Sequence, residues 1–135
     1  MTTPNLATTH LRLQPNGRAD QLPITATFWD ELIAGKFGTF QNEYLVSHYR
    51  FEGDWDSEEV HPNGDEIVVL LQGSADFVLH LPAGEQRVTL RKSGDFAFVP
   101  MGTWHTANIL TPSEMLFITA GEGTEGRPRQ PTQPA

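Results

Sequence analysis

From residue 43 onward, apolar and polar positions alternate with a period of two, interrupted by short polar breaks. This pattern predicts strands at Tyr44–Phe51, Glu66–Gln72, Ala75–Leu81, Gln86–Leu90, Phe96–Val99, His105–Leu110 and Glu114–Thr119. The breaks carry turn chemistry: Pro62-Asn63-Gly64-Asp65, Gly73-Ser74, Pro82-Ala83-Gly84-Glu85, Ser93-Gly94-Asp95, Pro100-Met101-Gly102 and Thr111-Pro112-Ser113. Glu66–Gln72 is apolar on both faces, as a central strand would be. Many short strands at close spacing predict an all-β sandwich or barrel.

One segment has the helical period instead. Phe28, Trp29, Leu32 and Ile33 fall on one stripe, Thr27 with Asp30 resembles a capping box, and Gly35 is placed to end the turn. A short helix is expected over Thr27–Ile33. Residues 1–22 are polar and mixed and are expected as an N-terminal arm. The barrel domain is expected over 23–120. After Ala120 no aliphatic residue larger than Ala remains, so 121–135 is expected as a disordered tail.

Composition narrows the chemistry. The 135 residues fit one domain. Lys plus Arg number 9 against 17 Asp plus Glu, a net charge of -8. With no basic cluster, the balance argues against nucleic acid and anionic membranes as partners. Cysteine is absent, which removes disulfides, thiolate metal sites and cysteine nucleophiles. The N-terminus lacks the basic start and apolar run of a signal peptide, and no segment approaches a membrane span. A soluble cytoplasmic protein is expected.

The residues with chemical potential lie in two stretches. In Glu59-Val60-His61 extended backbone sends the carboxylate and the imidazole to one side. Inside a barrel such a carboxylate is costly unless a cation accompanies it; the alternative is a solvent-facing acidic loop with Asp54, Asp56 and Glu58. Glu66 opens an apolar strand as a metal ligand, a general base or a strand-end acceptor. His105 opens another strand, as a metal ligand or a core histidine. Two imidazoles and two carboxylates make a plausible divalent-metal set. His48, Trp55 and Trp104 are pocket-wall candidates. Phe96, Phe98 and Phe117 are expected in the core, and His10 and His80 at exposed or turn-proximal positions. Asn108 is expected to face away from His105 as a structural residue.

Together these spacings resemble the two motifs of the cupin superfamily. The first motif has a Gly, five residues, His-x-His, three or four residues, Glu, six residues and Gly. Here Gly53 precedes Glu59-Val60-His61, then Glu66 and Gly73 follow at the motif's intervals. The second motif is matched by Gly94, Pro100-Met101-Gly102 and His105, with Asn108 one residue early. The resemblance covers about residues 43–120. It implies a small jelly-roll β-barrel, often a homodimer, with a divalent metal (Fe, Mn, Ni or Zn) held by Glu59, His61, Glu66 and His105. Glu59 stands where the family pattern has its first His. A carboxylate there lowers the net charge of the site and shifts its preference toward harder cations.

Two main readings of function follow. The first is a metal-dependent enzyme, a dioxygenase, isomerase or decarboxylase of a small molecule. The second is a non-catalytic ligand-binding or regulatory module whose metal is structural or absent. A dimeric barrel with a vestigial site is the plainest remaining case.

Overall fold

The computed structural model describes residues 3–130. Its elements are β1 (Thr9–Leu13), β2 (Ala19–Pro23), α1 (Phe28–Ile33), β3 (Tyr44–Phe51), β4 (Ser57–Val60), β5 (Glu66–Leu81), β6 (Gly84–Leu90), β7 (Phe96–Val99), β8 (Trp104–Ala120) and β9 (Glu125–Pro128). Every strand pairing is antiparallel.

Two long strands, β5 and β8, run through the whole domain and pair with each other along most of their length. Their first and second halves belong to different layers. Glu66–Val69 of β5 lies between β7 and the end of β8, and β3, β1 and β2 continue that layer. Ala75–Leu81 lies between β6 and the start of β8, beyond which come β4 and β9. The crossing between layers is a bend with register shifts around Gln72 to Ala75. Gly73 sits there with φ +91°, and a Cβ on it would lie 2.2 Å from the Pro112 carbonyl oxygen. Only glycine fits such a close approach at that φ.

The sequence reading treated Gly73-Ser74 and Thr111-Pro112-Ser113 as turns between separate strands. They are bends inside continuous strands, because each half keeps a full hydrogen-bonding partner and the chain never reverses. This layered, curled arrangement is the jelly roll expected from the resemblance.

The core lies between the layers. Val68, Leu70, Ala75, Phe77, Leu90, Ala97, Ala107, Met115 and Phe117 are buried together, each from the inward-facing set of its strand. A second cluster, Leu22, Phe28, Phe40 and Leu45, seats α1 against the β1–β3 end. The helix matches its expected span to within a residue. Thr27 makes no cap bond to the backbone and bonds Glu31 instead. Gly35, with φ +84°, follows its last turn.

Both ends depart from expectation. Within residues 1–22, read as an arm, the chain forms a hairpin, β1 with β2, that ends at Pro23 and extends the sheet beside β3. Residues 125–128, read as disordered, pair with β4 as β9. Sheet pairing needs only backbone groups, and the edge of β4 supplies a template that composition does not reveal. Residues 131–135 lie outside the described residues. Phe96 and Phe98, expected in the core, are 59% and 48% exposed, because Ala97 and Val99 take the inward positions of β7. Phe117 is buried as expected. No helix among the described residues is long and apolar enough to cross a membrane.

Candidate metal centre and its cavity

Four side chains meet on the inner face where the layers come together. Glu59 and its cross-strand partner His105 come from β4 and β8. Glu66 heads β5, opposite Thr119 of β8. His61 follows β4 directly. Glu59, His61 and His105 offer ligand atoms that all lie within 4.8 Å of one another. Glu66, 2% exposed, lies between the imidazoles: its Oε1 is 3.0 Å from His105 Nε2 and its Oε2 is 3.2 Å from His61 Nε2. Glu59 Oε2 stands 3.9 Å from His61 Nε2.

The outer ring nitrogens determine what these contacts are. His105 Nδ1 donates to the Thr103 carbonyl at 3.0 Å. His61 Nδ1 donates to Thr124 Oγ1 at 2.9 Å, and the Thr124 hydroxyl passes its own proton to the Gly121 carbonyl at 3.0 Å. In both neutral rings the proton is therefore on Nδ1 and the Nε2 lone pair points inward, the arrangement of a ligating histidine. Glu66 Oε1 and both Nε2 atoms are buried without a hydrogen-bond partner. Facing acceptors at 3.0–3.2 Å repel unless a proton or a cation sits among them. The orphaned donor set fits a divalent ion.

The ionisation of the group follows from this crowding. Burial alone would raise the Glu66 carboxyl, but in the metal-free site a proton held between it and the imidazoles outweighs burial and keeps it down at about 2. Burial pulls the His105 imidazole down, yet Glu66 beside it carries the balance above the ordinary value. Glu59 is pushed up by burial and by the Glu66 charge, against the opposing pull of His61 and His105. The Thr119 hydroxyl donates to Glu66 Oε2 at 2.6 Å and fixes the carboxylate plane.

Above these residues is a cavity of about 630 Å³. Its walls are Trp29 from α1, Tyr49 and Phe51 from β3, Trp55 from the β3–β4 loop and Phe117 from β8, with Glu59, His61 and Glu66 at one end. The loop is pinned: Trp55 N donates to the Ala107 carbonyl at 3.0 Å and Ile109 N to Asp54 Oδ1 at 2.6 Å. Burial pushes the Tyr49 hydroxyl up to about 12, and it lies 3.4 Å from His10 Nε2.

Of the sequence candidates, Glu59, His61, Glu66 and His105 converge and Trp55 joins the cavity wall. His48 and Trp104 do not. On β3, Leu45, Ser47, Tyr49 and Phe51 face the cavity, so His48 takes the opposite face. Trp104 lies under the Arg127 guanidinium, 4.0 Å from its ring centroid. His10, expected at the surface, is fully buried among Phe28, Trp29 and Tyr49. His80 is half-buried and bonds Glu58 at 2.8 Å. Asn108 accepts from Arg129, a structural role as expected.

Sequence reasoning missed Thr124 and Arg129. Thr124 orients His61, and Arg129 donates to the Trp55 carbonyl at 3.1 Å. Both lie in the stretch read as a tail. Nothing in that stretch marked them, because Gly121 to Gln130 holds Gly, Glu, Arg and Pro with no apolar period.

No protein-family profile matches the chain, and no curated protein does. Solved structures do. Oxalate decarboxylase from Bacillus subtilis, whose structure was described for its Mn(II) centres, is 18% identical over 63% of this chain, with a TM-score of 0.54. This chain spans 23% of the length of that one. A cupin-2 domain containing protein from Shewanella frigidimarina matches at 20% identity over 64% of this chain and 71% of its own, with a TM-score of 0.46. Hydroquinone 1,2-dioxygenase from a Sphingomonas species, with 4-hydroxybenzoate bound, matches at 21% identity over 56% and 58%, again at 0.46. At these identities the likeness concerns the fold alone. The bent shared strands, the two facing layers and the match to oxalate decarboxylase show a two-layered jelly-roll fold shared with that enzyme.

Proposed function

We propose that this protein is a small metal-dependent enzyme that acts on a small molecule held in the aromatic cavity. Glu59, His61, Glu66 and His105 are the ligands of a divalent ion. The observation that carries the reading is the pair of inward Nε2 lone pairs facing a buried carboxylate, with both Nε2 atoms and Glu66 Oε1 lacking hydrogen-bond partners. A bound ion would act as a Lewis acid toward a carbonyl or a water, or, if redox-active, toward O2. The two carboxylates formally balance a 2+ charge, which favours harder cations such as Mn or Fe over Zn.

The chain's own groups do the rest. Thr124 and the Thr103 carbonyl hold the imidazole tautomers, and Thr119 holds Glu66. Glu59 lines the cavity and is placed to take a proton from substrate and return it when its carboxylate leaves the ion. Tyr49 keeps its proton at neutral pH and can donate a hydrogen bond to a ligand oxygen. Trp29, Phe51, Trp55 and Phe117 exclude water from the reacting volume. Dioxygenase, isomerase and decarboxylase chemistry all use such parts.

The proposed assembly is a homodimer. The outer face of the β3-containing layer carries two apolar rows, Val46-Ile118-Ile67-Phe98 and Leu116-Val69-Phe96, each running from strand to strand in register. A face of this kind on a soluble domain is normally covered.

The test is metal analysis of protein purified without chelators. About one divalent ion per chain is expected, with loss of that ion in His61→Ala and in His105→Ala. Protein that stays metal-free through incubation with Mn, Fe, Ni and Zn ions would overturn the enzymatic reading.

A further inference from the structure

The cavity has a charge asymmetry that points to its ligand. Besides Glu59 and Glu66, its lining includes the carboxylates Asp54, Asp56 and Glu125, and no Lys or Arg. The neighbouring cations are already engaged. Arg127 bonds Glu58 and covers Trp104; Arg129 bonds Asn108 and the Trp55 carbonyl; Arg12 pairs with Asp20 and Glu43. If an ion takes up the charge of Glu59 and Glu66, three carboxylates remain with nothing positive to offset them.

The walls add a second preference. Trp29, Tyr49, Phe51, Trp55 and Phe117 surround the space with ring faces and edges; Trp55 and Phe117 stack at 6.1 Å, and Tyr49 meets Phe117 edge-on at 5.9 Å. Trp29 is 45% exposed, and Asp54, Asp56 and Glu125 are exposed, so the aromatic depth opens through an acidic mouth. A volume of about 630 Å³ lies within the roughly 300–1,000 Å³ typical of small-molecule sites.

We propose that the ligand is an aromatic amine, its ring held among these side chains and its ammonium placed between the mouth carboxylates and the indole and phenol faces. Ring burial supplies the apolar contribution. The ammonium gains from the acidic mouth and from the faces of Trp29 and Tyr49. A carboxylate ligand meets the same charges with the opposite sign. This inference rests on the reading of the cavity as the substrate chamber, and it names the class of molecule that chamber selects.

The experiment compares three molecules that share a ring and chain and differ in charge: phenethylamine, 2-phenylethanol and phenylacetate. Each is titrated calorimetrically at neutral pH into chelator-treated protein and into Mn-loaded protein. The amine should bind about five- to tenfold tighter than the alcohol, with phenylacetate weakest, in both states. In a combined Asp56→Asn and Glu125→Gln variant, the amine should lose most of its advantage over the alcohol while the alcohol is unchanged. Phenylacetate binding as tightly as the amine in either state overturns the proposal, and so does binding of none of the three. Protein that takes up no metal yet keeps this order refutes the metal centre and leaves the ligand class standing. Metal uptake with a preference for the carboxylate does the reverse.

Discussion

Replacing Glu66 by Gln keeps the shape of the side chain and removes its charge, at the point where the candidate centre is most tightly coupled. In the metal-free protein the carboxyl is lowered from an ordinary 4.5 to about 2. That difference corresponds to about 3 kcal/mol of folding stability in the wild type. A depressed carboxyl contributes this stability above its unfolded value of 4.5 and loses it as pH falls through about 2. The raised His105 works from the other side. Its contribution is complete below the unfolded value of 6.5 and is lost as pH rises through the higher folded value. The wild-type advantage over Glu66→Gln should therefore be greatest between these limits, near pH 5.5, and should shrink toward both pH 3 and pH 9. At the alkaline end the Gln amide donates to an Nε2 lone pair that the carboxylate can only repel, so the gap closes further. Urea unfolding followed by Trp fluorescence in chelator, at steps of one pH unit, measures the curve. Adding Mn at about one hundred times its Kd should restore about 2.7 kcal/mol to the wild type at pH 8 and little to the variant. Equal stabilities near pH 5.5 in chelator, or a gap that widens steadily with pH there, would refute the coupling between Glu66 and the imidazoles.

Three further outcomes check the scaffold and the assembly. Gly73→Ala must accommodate both φ +91° and a Cβ 2.2 Å from the Pro112 oxygen, so a loss of about 2 kcal/mol or more in chemical denaturation is expected. A substitution there that leaves the midpoint unchanged would show that the bend is not tightly packed. Phe77→Ala empties the centre of the core at a fully buried site and should cost about 3–5 kcal/mol while leaving metal stoichiometry intact. Light scattering should find a dimer in the wild type and a monomer in a combined Phe96→Glu and Phe98→Glu variant, with metal content retained; a wild-type monomer at high micromolar concentration would remove the outer face as an interface.

Much of the scaffold was legible in the chain because β structure with one buried face writes itself as alternation. Tyr44–Phe51 and Phe96–Val99 have the bounds that the period-two pattern assigns them. The pairing of Glu59 with His61 was also legible, since two residues of one extended segment share a side by geometry alone. Which face of a short strand is buried was less so. In Phe96-Ala97-Phe98-Val99 both faces are apolar, and hydrophobicity alone favours burying the phenylalanines. The structure buries Ala97 and Val99, which pair across the ladder with the inward-facing Val68 and Glu66, and the register between β5 and β7 sets that choice.

Read on its own, the chain is a β-rich domain without thiol chemistry, its reactive groups in two stretches separated by several strands. Those are properties of composition and local period, and they need no knowledge of distant neighbours. Only the folded chain places Glu66 between His61 and His105, turns His48 and Trp104 away from the cavity, and pairs residues 125–128 with β4 so that Thr124, just before that strand, reaches His61. Each of these depends on register between strands far apart in the chain. A shift of one residue would turn every side chain to the other face, and that register is set by the packing of the whole core and not by any single segment.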